Sequence, residues 1–202
     1  MAANPLNDPK WAENMTDTIV STVDKVRDRT TKPIVMAARG VVFGLLAAFL
    51  GLFIAVIEDL YRRFNEAEMA LNLDVAQPEK ALVDVVSFIW DYYQKNPEFI
   101  TLLNDENLHR GKHIAKSSRA QDYSSPAIQI LESVLASGMK KKVFREGLSG
   151  RDVYLMIASL NYFYLSNRFT LSAFLGEKLE SPPALAHWHE VVVDTIMRAV
   201  KR

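Results

Sequence analysis

Gly40-Val41-Val42-Phe43-Gly44-Leu45-Leu46-Ala47-Ala48-Phe49-Leu50-Gly51-Leu52-Phe53-Ile54-Ala55-Val56-Ile57 runs for 18 positions without a charge, a proline or a polar side chain. A helix of about that length spans the hydrocarbon core of a bilayer. Carried back to Ile34, the segment 34–57 reads as a membrane-spanning helix, one that tolerates Arg39 near its end because a long side chain can carry its charge to the headgroups. A soluble reading stands beside it, the central helix of a bundle, apolar on every side. Gly40 and Gly44 form a small-xxx-small pair of the kind that lets two such helices approach closely.

Working outward toward the N-terminus, residues 1–33 form a polar tail and then an amphipathic helix. Ile19, Val20, Val23 and Val26 make a narrow stripe among Asp17, Asp24, Lys25, Arg27, Asp28 and Arg29, as suits a wet helix or one lying on a membrane surface. No apolar h-region follows a short basic segment, so a cleavable signal peptide is not expected. Lys25, Arg27, Arg29, Lys32 and Arg39 precede the apolar run, whereas Arg62 and Arg63 follow it. Taken alone, the positive-inside rule keeps the N-terminus in the cytoplasm.

Toward the C-terminus, residues 58–202 read as one helical domain. Phe53, Val56, Ile57, Leu60, Tyr61 and Phe64 recur at three- and four-residue steps, predicting a helix that ends near Asp74. Pro78 opens the next, through Leu82, Val85, Val86, Ile89, Trp90 and Tyr93, and Asn96-Pro97 breaks it. Short helices are expected over 97–103 and 106–114, then a polar loop from Lys116 to Tyr123. A helix from Ser124-Ser125-Pro126 should stop at Gly138, a long apolar one should cover Arg151–Asn167, and Pro182-Pro183 should open the last, ending at Val200. No strand pattern appears, so the fold class is all-α.

The balance of 24 basic and 24 acidic side chains removes the global pull toward nucleic acid that a basic chain exerts. With no cysteine, disulfides and thiolate chemistry are excluded. His109 and His113 share a helical face but lack a third ligand at metal spacing, and His187 and His189 point apart, so no metal is expected. Serines stand in no nucleophile motif, and Glu66 and Glu68 read as a wet helix face; neither an enzyme nor a cofactor is expected. Lys140-Lys141-Lys142 with Arg145 reads as a solvated turn at a helix end. Asn161, among Ile157, Leu160 and Leu165, is more informative, as are Trp90, Tyr92, Tyr162 and Tyr164. A buried amide or phenol needs a partner, which is either another helix or a ligand.

The pieces Leu52-Phe53-Ile54-Ala55-Val56-Ile57-Glu58-Asp59-Leu60-Tyr61, Tyr92-Tyr93-Gln94-Lys95-Asn96-Pro97-Glu98-Phe99-Ile100, Asn104-Asp105-Glu106-Asn107-Leu108, Val143-Phe144-Arg145-Glu146-Gly147 and Asn161-Tyr162-Phe163-Tyr164-Leu165-Ser166-Asn167 resemble, in order and spacing, the C-terminal half of TetR-type transcriptional regulators. The resemblance covers about residues 52–202. It implies an effector-binding and dimerisation domain in which a small apolar or aromatic molecule binds among the helices and the last two long helices pair with a second copy. On that basis Phe88, Tyr92, Leu131, Asn161 and Tyr164 are the expected ligand-binding residues. Trp188, Val192, Ile196 and Ala199, at three- and four-residue steps, are the expected homodimer contact.

Such a regulator carries a three-helix DNA-reading unit ahead of this domain. Residues 1–51 do not supply it: where a recognition helix presents polar groups stand Val42, Leu45, Leu46, Ala47 and Ala48, which make no phosphate or base-edge hydrogen bonds. The N-terminal segment is instead loosely similar to small single-span membrane proteins of actinobacteria. The expectation is therefore a ligand-responsive regulatory domain, held at the cell membrane by a single pass through 34–57, with doubtful DNA binding of its own. Two alternatives stay open: a membrane-anchored dimeric interaction module without effector, and a soluble, cytoplasmic, degenerate TetR-type regulator. An exported C-terminal domain fits a regulator badly, so orientation also stays open.

Overall fold

The computed structural model describes residues 10–117 and 125–202. The tail Met1–Pro9 and most of the expected loop Lys116–Tyr123, with Ser124, lie outside the described residues. Among the described residues seven α-helices follow one another: α1 (Trp11–Val26), α2 (Lys32–Met69), α3 (Pro78–Lys95), α4 (Pro97–Leu108), α5 (Ser125–Lys140), α6 (Gly150–Leu175) and α7 (Pro182–Val200). Arg27–Thr31 is a π-helical turn and Ile114–Lys116 a short 3-10 turn. Among the described residues the only extended pairing is an isolated bridge between Phe144 and Lys201. The fold is all-α.

The chain divides into two compact units, Met1–Leu52 and Phe53–Arg202. In the first, α1, the π turn and the start of α2 follow without an intervening turn. Every residue from Ile34 to Leu52 is exposed except Leu50, which is half-buried, and Phe43 and Phe49 are each 67% exposed. Within the continuous helical segment Trp11–Met69, an 18-residue window has a mean hydropathy of 2.7. The last residues of the expected span behave differently. Phe53 packs its ring edge-on against His113 at 5.0 Å, and Ile57 is buried in the second unit. The uncovered apolar stretch is thus 34–52, which at helical rise covers roughly 28 Å, close to a hydrocarbon core.

In the second unit the helix starts follow the local chemistry. Pro78, Pro97 and Pro182 occupy first-turn positions, where the missing N–H matters least. Ser149 caps α6 by accepting from the Asp152 amide at 3.3 Å. Helix α3 packs on α4, α5, α6 and α7, and its Leu82, Val85, Val86 and Ile89 are fully buried.

Several helix ends differ from the sequence expectation. Helix α2 ends at Met69 rather than near Asp74, whose carboxylate accepts from the Ala76 amide and the Gln77 side chain, both at 2.9 Å, and so shapes the turn before α3. The two short helices expected after Pro97 are one, α4, stopped where Arg110 and Gly111 take positive φ of 58° and 70°. Helix α5 runs past Gly138 to Lys140. That glycine is needed for packing, since a Cβ there would lie 2.0 Å from Cδ2 of Phe144. Helix α6 continues beyond Asn167 to Leu175 and stops at Gly176 in the left-handed region, φ 70°.

Candidate functional site

The interior of the second unit is organised around Phe64 of α2. The rings of Phe88, Tyr92 and Tyr93 from α3 and Phe99 from α4 lie 4.9–6.2 Å from it. One turn further along α2, on the stripe Ile57, Leu60, Phe64, stands Glu68. It is 1% exposed, and its Oε2 has no hydrogen-bond partner. Burial pushes its carboxyl up to about 7, because a low-dielectric surround disfavours the charged form. The expected wet face belongs to Glu66 alone, which is exposed and pairs with Arg62 at 2.7 Å.

The charge of this carboxyl bears on two tyrosines of the interior. Burial raises Tyr154 of α6 to about 12, and the nearby Glu68 charge adds to the effect. Tyr93 is raised well above its ordinary value, first by burial and then by Tyr154, Tyr61 and Glu68. Tyr61 is raised by burial and next by the Glu106 charge.

Beside Tyr61 is a small cavity lined by Ile57, Leu60, Tyr61, Phe99, Leu102, Leu103, Glu106 and Ile114. It measures about 20 Å³, room for about one water. Glu106 closes it by accepting from the His113 and Ile114 amides at 2.8 and 3.0 Å while meeting His113 Nδ1 at 2.8 Å. Burial works against its charge, yet these hydrogen bonds, led by that from Ile114, hold its carboxyl below the usual value. Asn104 ties α4 to α6 by accepting from Tyr162 Oη and, at 2.9 Å, from Ser166 Oγ. The rings of His109 and His113 are 5.0 Å apart, and among the described residues no three metal-ligating groups gather.

The five expected ligand-binding residues do not line one cavity. Asn161 is 0% exposed in α6 with neither amide atom hydrogen-bonded. Leu131 is buried in the core from α5. Phe88 and Tyr92, rings 5.8 Å apart, lie on a surface groove of about 430 Å³ with Leu71, Leu73, Asp84 and Asp91. Tyr164 sits at the α6–α7 end, where its hydroxyl donates to the Leu179 carbonyl at 2.9 Å and its ring stacks on Trp188 at 4.8 Å. These two aromatics belong to a separate groove of about 730 Å³ with Phe163, Leu171 and Leu175. Hence Tyr164 satisfies its polar atom internally, whereas Asn161 does not. Sequence reasoning missed Glu68, Tyr93 and Tyr154; the available signal was the position of Glu68 four residues after Phe64 on a buried stripe.

The expected dimer residues also divide. Val192 and Ile196 are 0% exposed and belong to the protomer's own core, while Trp188 and Ala199 are half-buried. On α6, Leu155, Phe163, Phe169 and Phe174 are all more than half exposed. A helix of period 3.6 shows two faces, and Val192 and Ile196 lie on the inward one.

Comparison with known proteins now bears on this arrangement. The family described as "Tetracyclin repressor-like, C-terminal domain" matches residues 78–196. The HTH-type transcriptional repressor NicS of Pseudomonas putida is 46% identical over 151 residues, covering 75% of this chain and 71% of that protein. A match of this length and identity means that the chain belongs to the TetR family of transcriptional regulators and not to an enzyme class.

Proposed function

We propose that residues 53–202 act as a ligand-responsive regulatory and dimerisation domain, that the exposed apolar stretch 34–52 of the expected span anchors it in the cell membrane as a single pass, and that this chain does not itself read DNA. The observation that carries the effector reading is Asn161, an amide with both polar atoms unpaired in a fully buried position. An orphaned buried amide is destabilising by about 1–3 kcal/mol, which a bound polar group offsets. The anchor reading is supported by the exposed apolar stretch 34–52, and the absence of DNA reading by the unbroken helical backbone across α1, the π turn and α2. Homodimer formation is supported by the outward apolar side chains of α6. The competing reading, a dimeric interaction module without effector, is favoured by the small size of the cavity beside Tyr61.

A thermal-shift screen of the full chain in detergent with small aromatic compounds separates the two. A compound that raises the midpoint in the wild type and not in Asn161→Leu supports the effector domain. A dimer that no compound stabilises supports the interaction module. A sequence-dependent mobility shift persisting at physiological salt would refute the statement on DNA.

A further inference from the structure

We propose that His109 and His113 form a binding site for a divalent transition-metal ion of the zinc, nickel or copper class, with two imidazole nitrogens from the protein and the remaining positions open to water or a small ligand. The site is separate from Asn161 and does not depend on the effector reading above. Among the described residues no third metal-ligating side chain joins the pair, so the assignment stands on how the two rings are held.

The pair does not share a helical face, as its spacing suggests. Helix α4 stops at Leu108, and the left-handed Arg110 and Gly111, φ 58° and 70°, turn the chain back. The two rings then stand 5.0 Å apart, tilted by 58°. That separation suits a single ion. With metal–nitrogen bonds of about 2.0–2.1 Å and ring centres about 1.1 Å beyond the nitrogens, two imidazoles at right-angled to tetrahedral positions have centroids roughly 4.5–5.2 Å apart.

The hydrogen bonds fix which nitrogen is free. His109 Nδ1 donates to the Asp105 carbonyl at 2.9 Å; a carbonyl only accepts, so Nδ1 carries the proton and the lone pair is left on Nε2. His113 Nδ1 meets Glu106 Oε2 at 2.8 Å, and that carboxylate, which also accepts from the His113 and Ile114 amides, sets the same tautomer. Among the described residues neither Nε2 has a hydrogen-bond partner. A ring held at Nδ1 by a carbonyl or carboxylate, with Nε2 free, is the state in which histidine ligates a metal. The surroundings suit a cation: Asp105 Oδ2 lies 3.7 Å from His109 Nδ1, Phe53 covers one side of His113 edge-on at 5.0 Å, and the turn's own cations, Arg110 and Lys112, are exposed to water. The other histidine pair does not match, because His189 Nε2 is engaged by Ser87 Oγ at 3.0 Å. Glu106 and Ile114 both line the cavity beside Tyr61, so an ion at this turn stiffens the wall between α2 and α4.

Isothermal titration of the untagged, metal-stripped full chain in detergent tests this with Zn²⁺, Ni²⁺ and Cu²⁺, and with Mg²⁺ as the control. One equivalent per chain should bind, Cu²⁺ most tightly and Mg²⁺ not at all. The electron paramagnetic resonance spectrum of the Cu²⁺-loaded chain should show coupling to two nitrogens. His109→Asn, at an exposed position, should lower the affinity at least about tenfold and leave coupling to one nitrogen. Glu106→Gln, which removes the carboxylate behind His113, should weaken binding by about 10–100-fold. The double variant His187→Asn with His189→Asn should bind as the wild type does. Failure of all three ions to bind, full affinity in His109→Asn or in Glu106→Gln, or loss of the site in the His187 and His189 double variant overturns the assignment.

Discussion

Replacing Glu68 with Gln should stabilise the protein at alkaline pH and leave it nearly unchanged in acid. The folded carboxyl titrates at about 7 against an ordinary value of 4.5, so between those values the native state holds a proton that the unfolded state has released. Stability therefore falls as pH rises through this window, and above it the penalty is complete. A shift of that size corresponds to about 3 kcal/mol, at roughly 1.4 kcal/mol per pH unit. Gln never ionises, so the difference between variant and wild type should grow from near zero below the ordinary carboxylate pKa to about 3 kcal/mol above the folded one. Denaturant unfolding of both proteins in detergent, followed by circular dichroism across that range, measures the difference directly, and the other titrating groups cancel in it. A gap that does not change with pH would show that Glu68 is not a buried, ionising carboxyl and would remove the reasoning.

Leu46→Lys together with Phe49→Lys should release the chain from membranes, since charges near a helix centre each oppose insertion by about 3 kcal/mol; recovery of the unmodified chain in a detergent-free soluble fraction would refute the anchor. Phe163→Glu, on the exposed face of α6, should give a folded monomer by sedimentation, whereas Val192→Glu buries a charge in the protomer and should unfold it; a folded, monomeric Val192→Glu would restore α7 as the contact. Gly138→Ala should lose about 1–3 kcal/mol, because the Phe144 ring occupies the place of the new methyl. A melting temperature unchanged from wild type would mean that Phe144 moves aside without penalty.

The helical class, the number of long helices after Leu52 and most of their starting points were legible in the sequence, because periodicity, prolines and caps act over a few residues. The order of the quoted pieces also carried the family, since 46% identity over 151 residues preserves local patterns. Ends were less legible. Gly138 and Asn167 look like stops, but the first accommodates Phe144 and the amide of the second donates to the Phe163 carbonyl at 2.8 Å within α6.

The site was harder to read for the same physical reason on a larger scale. Spacing predicts which residues share a face, and Trp188, Val192, Ile196 and Ala199 do share one. Whether that face meets its own core or a second copy depends on where α3 lies, a relation between segments about 100 residues apart. Glu66 and Glu68 are the same residue type two positions apart; the first is on the wet side of α2 and the second is enclosed in the core. The sequence alone determined helices, family and the apolar segment 34–57. Only tertiary packing decided which polar groups lost their water, because desolvation is imposed by neighbours distant in the chain.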